Sequence, residues 1–287
     1  INNVGGSPLM YSIGVGLADS YSTITKFDNP EGALNNYYEG KRIGEIWGYV
    51  TDGFIQDEAE AQRMATIQGD ISKTWKVGDI RYKDLDGVEG ITSAKTIYNT
   101  GDQKVIGNTT PRYSFNINAS ASWKGFDVRV FFEGIAKRDL WIDSPVFWGF
   151  PSNSNVWQSA VNDYHVDNSW SENNTNAYYP LPSYSGRSKQ TQTKYLQNGA
   201  YIRLKDLTIS YTIPKAWIST VGIEQLKVFA SGQNLWVGTK LFKYLDPDIV
   251  STRQSNSKDN KLVGNLTSDG KAYPFSRTFS FGINLTF

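Results

Sequence analysis

The sequence predicts an all-β fold, an antiparallel transmembrane β-barrel, on three observations. Apolar and polar residues alternate with a period of two along several stretches. The connections between those stretches are either very short or very long. The apolar side of the strands often ends in aromatic rings. Side chains alternate across a strand, so a period of two separates two faces. Barrels of outer membranes combine this alternation with tight turns at one end, long loops at the other and aromatic girdles at both interfaces.

Composition narrows the alternatives. The 287 residues carry 29 Lys and Arg against 28 Asp and Glu, a net charge of +1. That balance argues against nucleic acid or an anionic membrane surface as a partner held by broad electrostatics. The absence of Cys excludes a disulfide scaffold, a Cys-ligated zinc site and a thiol nucleophile. No apolar run approaches the length of a transmembrane helix. Nine Trp, 17 Tyr and 14 Phe are far from a disordered composition. The chain begins Ile1-Asn2-Asn3 with no visible signal peptide, as expected for a mature protein or a fragment.

Taken in order, Tyr11, Ile13, Val15 and Leu17 alternate with Ser12, Gly14 and Gly16, predicting a first strand. Residues 57–67 (DEAEAQRMATI) predict a short helix, with acids in the first turn. Residues 113–123 (YSFNINASASW) alternate without interruption. Lys124 and Gly125 then make a tight turn into 126–132, which places Phe126, Val128, Val130 and Phe132 opposite Asp127, Arg129 and Phe131. This pair predicts a β-hairpin. Leu207, Ile209, Tyr211 and Ile213 form another apolar row, and so do Leu226, Val228 and Ala230. Residues 214–221 predict one or two helical turns, with Pro214 at the first helical position and Gly222 at the end. In the last strand Phe279, Phe281, Ile283, Leu285 and Phe287 share one face. Residues 139–199 and 241–274 carry little strand pattern. Loops of that length are uncommon in compact soluble domains.

A soluble β-sandwich alternates in the same way, so alternation alone leaves both architectures open. Three features favour the barrel. Ser, Thr, Asn and Gly dominate the polar face, Tyr113, Trp123, Phe126 and Phe132 close the apolar face, and the sequence stops on Phe287. Outer-membrane barrels commonly end on such a residue, which marks the final strand for insertion.

Several blocks then occur in a fixed order: 43–54 (IGEIWGYVTDGF), 77–87 (VGDIRYKDLDG), Ile106-Gly107-Asn108 with 111–115 (PRYSF), 124–127 (KGFD), 201–211 (YIRLKDLTISY), 231–235 (SGQNL), 245–247 (LDP) and 278–287 (TFSFGINLTF). Together they resemble the C-terminal part of the SusC family (RagA-like) of TonB-dependent outer-membrane transporters of Bacteroidetes. The resemblance implies about eight strands of a larger, 22-stranded barrel across residues 1–287. The plug domain and the N-terminal barrel strands have no counterpart here. It also implies import of oligosaccharides or peptides, a SusD-like surface lipoprotein, energy from the TonB complex through the plug, contact with outer-membrane lipid, and no enzymatic activity. The competing functions are a soluble glycan-binding β-sandwich module and, more remotely, a glycoside hydrolase.

Candidate sites are few. Asp84, Asp86 and Glu89 suggest a calcium loop, but Val88 stands at the fifth position, so the pattern fits only with an insertion. The alternative is an acidic turn, with no cofactor. His165, the lone histidine, is expected as an ordinary surface residue. No phosphate loop or nucleophile elbow occurs. The richer lead is the aromatic loop, where Trp141, Trp148, Trp157, Trp170, Tyr178 and Tyr179 are interspersed with Asn and Asp. Such rings stack on sugar faces while amides and carboxylates take the hydroxyls. The alternative is that the rings pack the loop on itself.

Overall fold

A computed structural model describes residues 2–4, 7–152, 156–249 and 274–287. Its strands, in chain order, are β1 (Asn2–Val4), β2 (Ser7–Ala18), β3 (Glu45–Tyr49), β4 (Thr51–Phe54), β5 (Ile80–Tyr82), β6 (Gln103–Asn108), β7 (Arg112–Trp123), β8 (Phe126–Lys137), β9 (Asp139–Leu140), β10 (Gln197–Asn198), β11 (Tyr201–Thr212), β12 (Gln225–Thr239) and β13 (Thr278–Thr286). The helices are α1 (Glu58–Ile67), α2 (Pro145–Trp148), α3 (Asp163–Asn168) and α4 (Lys215–Ile218). None is long and apolar enough to cross a membrane.

One antiparallel sheet dominates, in the order β1-β2-β7-β8-β11-β12-β13. It has seven strands among the described residues, against the eight or so that the resemblance implies, and β1 spans only three residues. The other six run 9 to 15 residues, at or above the roughly 9–11 that a tilted strand needs to span a bilayer.

Register ties the rows together. Ile13 pairs with Ala119, Ala119 with Val130, Val130 with Leu207, Leu207 with Gly232 and Gly232 with Phe279. The next row joins Tyr11, Ala121, Val128, Ile209, Ala230 and Phe281. Directly paired residues point to the same side, so the alternation seen strand by strand becomes one continuous apolar face. The opposite face carries Ser12, Asn116, Asn118, Ser120, Arg129, Thr208, Ser210, Ser231 and Ser280. The expected hairpin is present, and both Lys124 (φ 50) and Gly125 (φ 85) lie in the left-handed region. A two-residue turn of that type matches the natural twist of its strands, and Gly enters it without strain.

Connections segregate by length. Lys124 and Gly125, the α4 segment and Phe287 all lie at one end, because Phe126 pairs with Tyr211 and Gln225 with Thr286. The β1–β2 connection is at the same end. Residues 138–200 and 240–277 leave from the other end, as expected. A third and longer connection, 19–111, also starts there, since Ala18 pairs with Ser114. Pro214 caps α4 rather than starting it, because its ψ of 133° is extended. Gly222, expected at the end, is left-handed and closes the following turn.

The three long connections share one core. Ile46, Tyr49, Ile55, Ile80 and Ile91 come from the first, Leu140, Ile142, Phe147 and Tyr195 from the second, and Leu241, Phe242 and Leu245 from the third. Buried Asp79 binds the first two connections together. Its carboxylate accepts hydrogen bonds from Lys76 N (2.8 Å), Ser188 Oγ (2.9 Å) and Arg187 Nε (2.6 Å). α1 starts as predicted, with Asp57 Oδ1 accepting from Glu60 N at 2.7 Å. Such a cap satisfies one of the open N–H groups of the first turn.

Candidate functional site

The sheet's apolar face has nothing packed over it among the described residues. Val15 is 71% exposed and Phe281 82%, with Ile13, Leu17, Ile209, Phe279 and Ile283 also open. A β-sandwich in water would cover this face with a second sheet. Its tight-turn end is ringed by Trp123, Phe126, Tyr211 and Trp217. Phe126 and Tyr211 pack at 4.5 Å between centroids, and Lys124 lies over the Trp123 ring. Amphipathic rings of this kind suit the boundary between hydrocarbon and headgroups.

The polar face is held by charge pairs. Lys227 Nζ meets Asp127 at 2.7 Å, and Ser122 Oγ donates to the same carboxylate at 2.5 Å. Register shifts at Lys205 in both ladders of β11, a β-bulge that frees this side chain from the pairing pattern. Lys205 Nζ reaches Glu133 and Asp248, each at 2.9 Å. Buried Arg203 pairs with Asp246, and Tyr201 Oη donates to Asp248 at 3.0 Å. These contacts fasten the segment after β12 onto the sheet's loop end.

At that end most of the predicted aromatic residues meet, but facing one another. Phe147 (0% exposed) lies edge-on to Trp148 at 5.1 Å, Phe242 at 5.2 Å and Tyr179 at 5.6 Å. Trp141 neighbours Trp148 at 5.8 Å, and Tyr179 stacks parallel to Tyr195. Trp170 covers Gly78, where φ is +86° and a Cβ would collide with the indole. Trp141, Trp148, Trp170 and Tyr179 are therefore core residues and present no open platform. The physical reason is area: each buried aromatic removes roughly 150–250 Å² from water, and irregular loops have few other ways to offset their ordering. Tyr178 is half-buried, its hydroxyl accepting from Gln197 Nε2 at 3.1 Å. Trp157 is the open member, 92% exposed.

Two polar residues lock this core. His165, expected at the surface, is buried. Its Nδ1 accepts from Asn162 N at 3.3 Å in a capping box, and Nε2 lies 3.1 Å from the Phe147 carbonyl. Both contacts suit the neutral ring, and burial lowers its pKa, with the carbonyls acting in the opposite direction. Lys189 Nζ donates to the carbonyls of Phe150, Pro151 and Ser183 at 2.8, 3.0 and 2.6 Å, and burial pushes its pKa down to about 8. No single-sequence signal marks Lys189, because its partners are backbone atoms of distant turns.

The acidic turn differs from its sequence expectation. Asp84 and Asp86 gather with Asp102, ligand oxygens within 4.8 Å, and Glu89 is not in the group. Asp102 is fully buried and accepts from Leu85 N (2.6 Å) and Thr92 N (2.7 Å). Asp84 accepts from Gly87 N at 2.7 Å and Asp86 from Val88 N at 2.9 Å. These carboxylates act as turn caps, and a hydrogen-bonded acidic cluster does not by itself assign a metal.

Comparison with known proteins supplies relatives. No family model matches the chain. A protein described as TonB-dependent receptor P3, from Formosa agariphila, is 30% identical over 249 residues, covering 87% of this chain and 22% of that protein. TonB-dependent receptor P26 of the same organism is 26% identical over 222 residues, 74% of this chain and 20% of that one. The chain thus spans about a fifth of the length of these curated relatives. The RagAB peptide importer in its open-open state superposes with a TM-score of 0.64 at 18% identity, covering 98% of this chain and 28% of the solved one. Its closed-closed state gives 0.61 at 16% identity, covering 100% and 28%. At such identities these two likenesses speak for the fold alone. By its identity to these curated relatives, the chain belongs to the TonB-dependent receptors.

Proposed function

We propose that this chain forms the C-terminal membrane-spanning strands and extracellular loops of a TonB-dependent outer-membrane importer. The open apolar face carries this reading. A sheet of long strands with one side bare suits hydrocarbon, because in lipid that side needs no protein partner. In the same reading the rest of the receptor supplies the plug and the strands that close a barrel of about 22. The tight turns face the periplasm, and the three packed connections face outward.

The cargo is an oligosaccharide or a peptide, taken up together with a SusD-like surface lipoprotein. Of the six predicted rings, Trp157 is the open one available to cargo or lipoprotein, with half-buried Tyr178 next in line. The buried rings act by holding the loops in one shape. Both curated relatives are described as receptors, which supports a non-enzymatic role. Neither the sandwich module nor the hydrolase gains support from the bare face. An epitope beside Trp157 should be labelled by antibody on intact cells, and one between Lys124 and Gly125 should not. Deleting the gene should abolish growth on the transported nutrient. Labelling at the turn on intact cells, or undiminished uptake in the deletion strain, would contradict the proposal.

A further inference from the structure

At the loop end of the sheet, where β7 begins and β8 ends, a small cavity is lined by Tyr21, Arg42, Asn108, Thr110, Arg112 and Lys137, with a volume of about 80 Å³. Arg112 and Lys137 face each other directly in the β7–β8 ladder. The Tyr21 ring holds two guanidinium groups, that of Arg42 at 5.1 Å and that of Arg112 at 4.9 Å from its centroid. Cations over an aromatic face are attracted by its quadrupole, so the ring keeps both groups in place without neutralising them.

The charges around this cavity do not balance. Arg112 is matched by Asp19, whose second oxygen accepts from Arg112 Nη2 at 2.6 Å. The Arg42 side chain has no ion pair among the described residues, and Lys137 has no side-chain partner among them. The nearby carboxylate of Glu45 is engaged elsewhere, by Tyr38 Oη at 2.5 Å and by Arg42 N at 2.9 Å. Asn108 and Thr110 are also committed, both donating to the Ile43 carbonyl at 3.0 and 2.8 Å. The cavity therefore has a fixed polar floor and two uncompensated cations on its wall.

We propose that this cavity binds one oxyanion group, a carboxylate, sulfate or phosphate, of a ligand arriving at the loop end. A guanidinium recognises such groups through paired N–H donors, and an ammonium adds a point charge. The volume admits one such group and little more. Arg42 and Lys137 are exposed and Tyr21 is 58% exposed, so their attraction for the anion should weaken as salt is raised. The anion can come from a solute in transit or from the headgroup of an outer-leaflet lipid. In the first case this is a selectivity site for acidic cargo, which rests on the import reading given above.

The test uses the complete receptor in detergent. Equilibrium dialysis with radiolabelled inorganic sulfate, at constant ionic strength in chloride, should show one saturable site. The R42Q/K137Q double variant should lower that affinity at least tenfold, whereas the charge-preserving R42K/K137R variant should keep it within a few-fold. Heat-modifiable migration on gels reports that each variant barrel is folded. Displacement of the label by a soluble acidic oligosaccharide or peptide, and not by anionic phospholipid added as mixed micelles, identifies a cargo site. The reverse pattern identifies a lipid site. Equal sulfate binding by the receptor and a folded double variant would overturn the proposal, and so would the absence of saturable binding in the receptor. Binding is read without uptake, so a receptor that binds sulfate here but imports nothing would count against the import reading alone.

Discussion

The sheet and the loop end are built from the same kinds of apolar residue and treat them in opposite ways. On the sheet, Phe281 and Ile283 project outward with nothing over them. At the loop end, Phe147, Trp141 and Tyr195 are sealed among other rings. In the import reading proposed above, the difference follows from what each region has for a solvent. Hydrocarbon accepts bare apolar side chains and demands that every backbone polar group be paired, which the ladders joining β2, β7, β8, β11, β12 and β13 provide everywhere but at the sheet's two outer edges among the described residues. Water accepts unpaired loop backbone and demands that apolar area be hidden, which the shared aromatic core achieves. The two regions should therefore respond differently to the same substitution.

The largest contrast is expected at Phe147. Truncation to Ala opens a cavity at the centre of the loop core, with a cost of about 3–5 kcal/mol for a buried aromatic. Hydrogen exchange across residues 140–195 should accelerate while the strands stay protected. Equal acceleration in β8 and β11 would show that the two regions are one cooperative unit. On the sheet, Ile117→Arg places a charge on the bare face and should cost about 2–4 kcal/mol near mid-bilayer. Asn118→Arg, one residue along and on the polar face, should cost much less. Folding titrations into lipid vesicles measure both, and equal losses would mean that the register assigned to β7 is wrong.

Smaller effects sharpen the loop side. His165 is buried as the neutral ring, and its folded pKa lies below the unfolded value of about 6.5. Below that value the unfolded chain takes up the proton more readily, so loop stability should fall as pH drops from about 6.5 toward the lowered folded pKa. Exchange of the Asn162 and His165 amides at pH 7.5 and pH 5 should show the loss, and a His165→Gln variant should flatten it. Smallest of all, Trp157→Ala should leave stability within about 0.5 kcal/mol, as exposed positions do. A larger loss would place Trp157 in the core after all.

The sheet was legible in the sequence because one periodic signal repeats over many residues. Where that signal breaks, the elements were read too short. β11 begins at Tyr201, ahead of the apolar row seen from Leu207, because the bulge at Lys205 interrupts the alternation. β12 runs on to Thr239, past Asn234, whose φ of 53° accompanies the matching irregularity. α1 was visible through the acids of its first turn, and Asp57 proved to be its cap rather than its first residue. The loop core was legible only as composition. Which rings face inward depends on segments as distant as Gly78 and Trp170, or Phe147 and Phe242, and no local pattern encodes such meetings. Asp102 illustrates this, since it joins Asp84 and Asp86 from a separate stretch of chain while neighbouring Glu89 does not.

Whether the bare face is the lipid face is directly measurable, since residues 1–287 carry no Cys and any Cys elsewhere in the complete receptor can be replaced first. Single cysteines placed at 208, 209, 283 and 284 of the complete receptor can be spin-labelled after reconstitution in vesicles. Collision rates with oxygen, which concentrates in hydrocarbon, and with a water-soluble nickel chelate then report each label's surroundings. Labels replacing Ile209 and Ile283 should collide with oxygen and be shielded from nickel, and those replacing Thr208 and Asn284 should show the reverse. Four labels equally open to nickel would contradict the account and return the sheet to water.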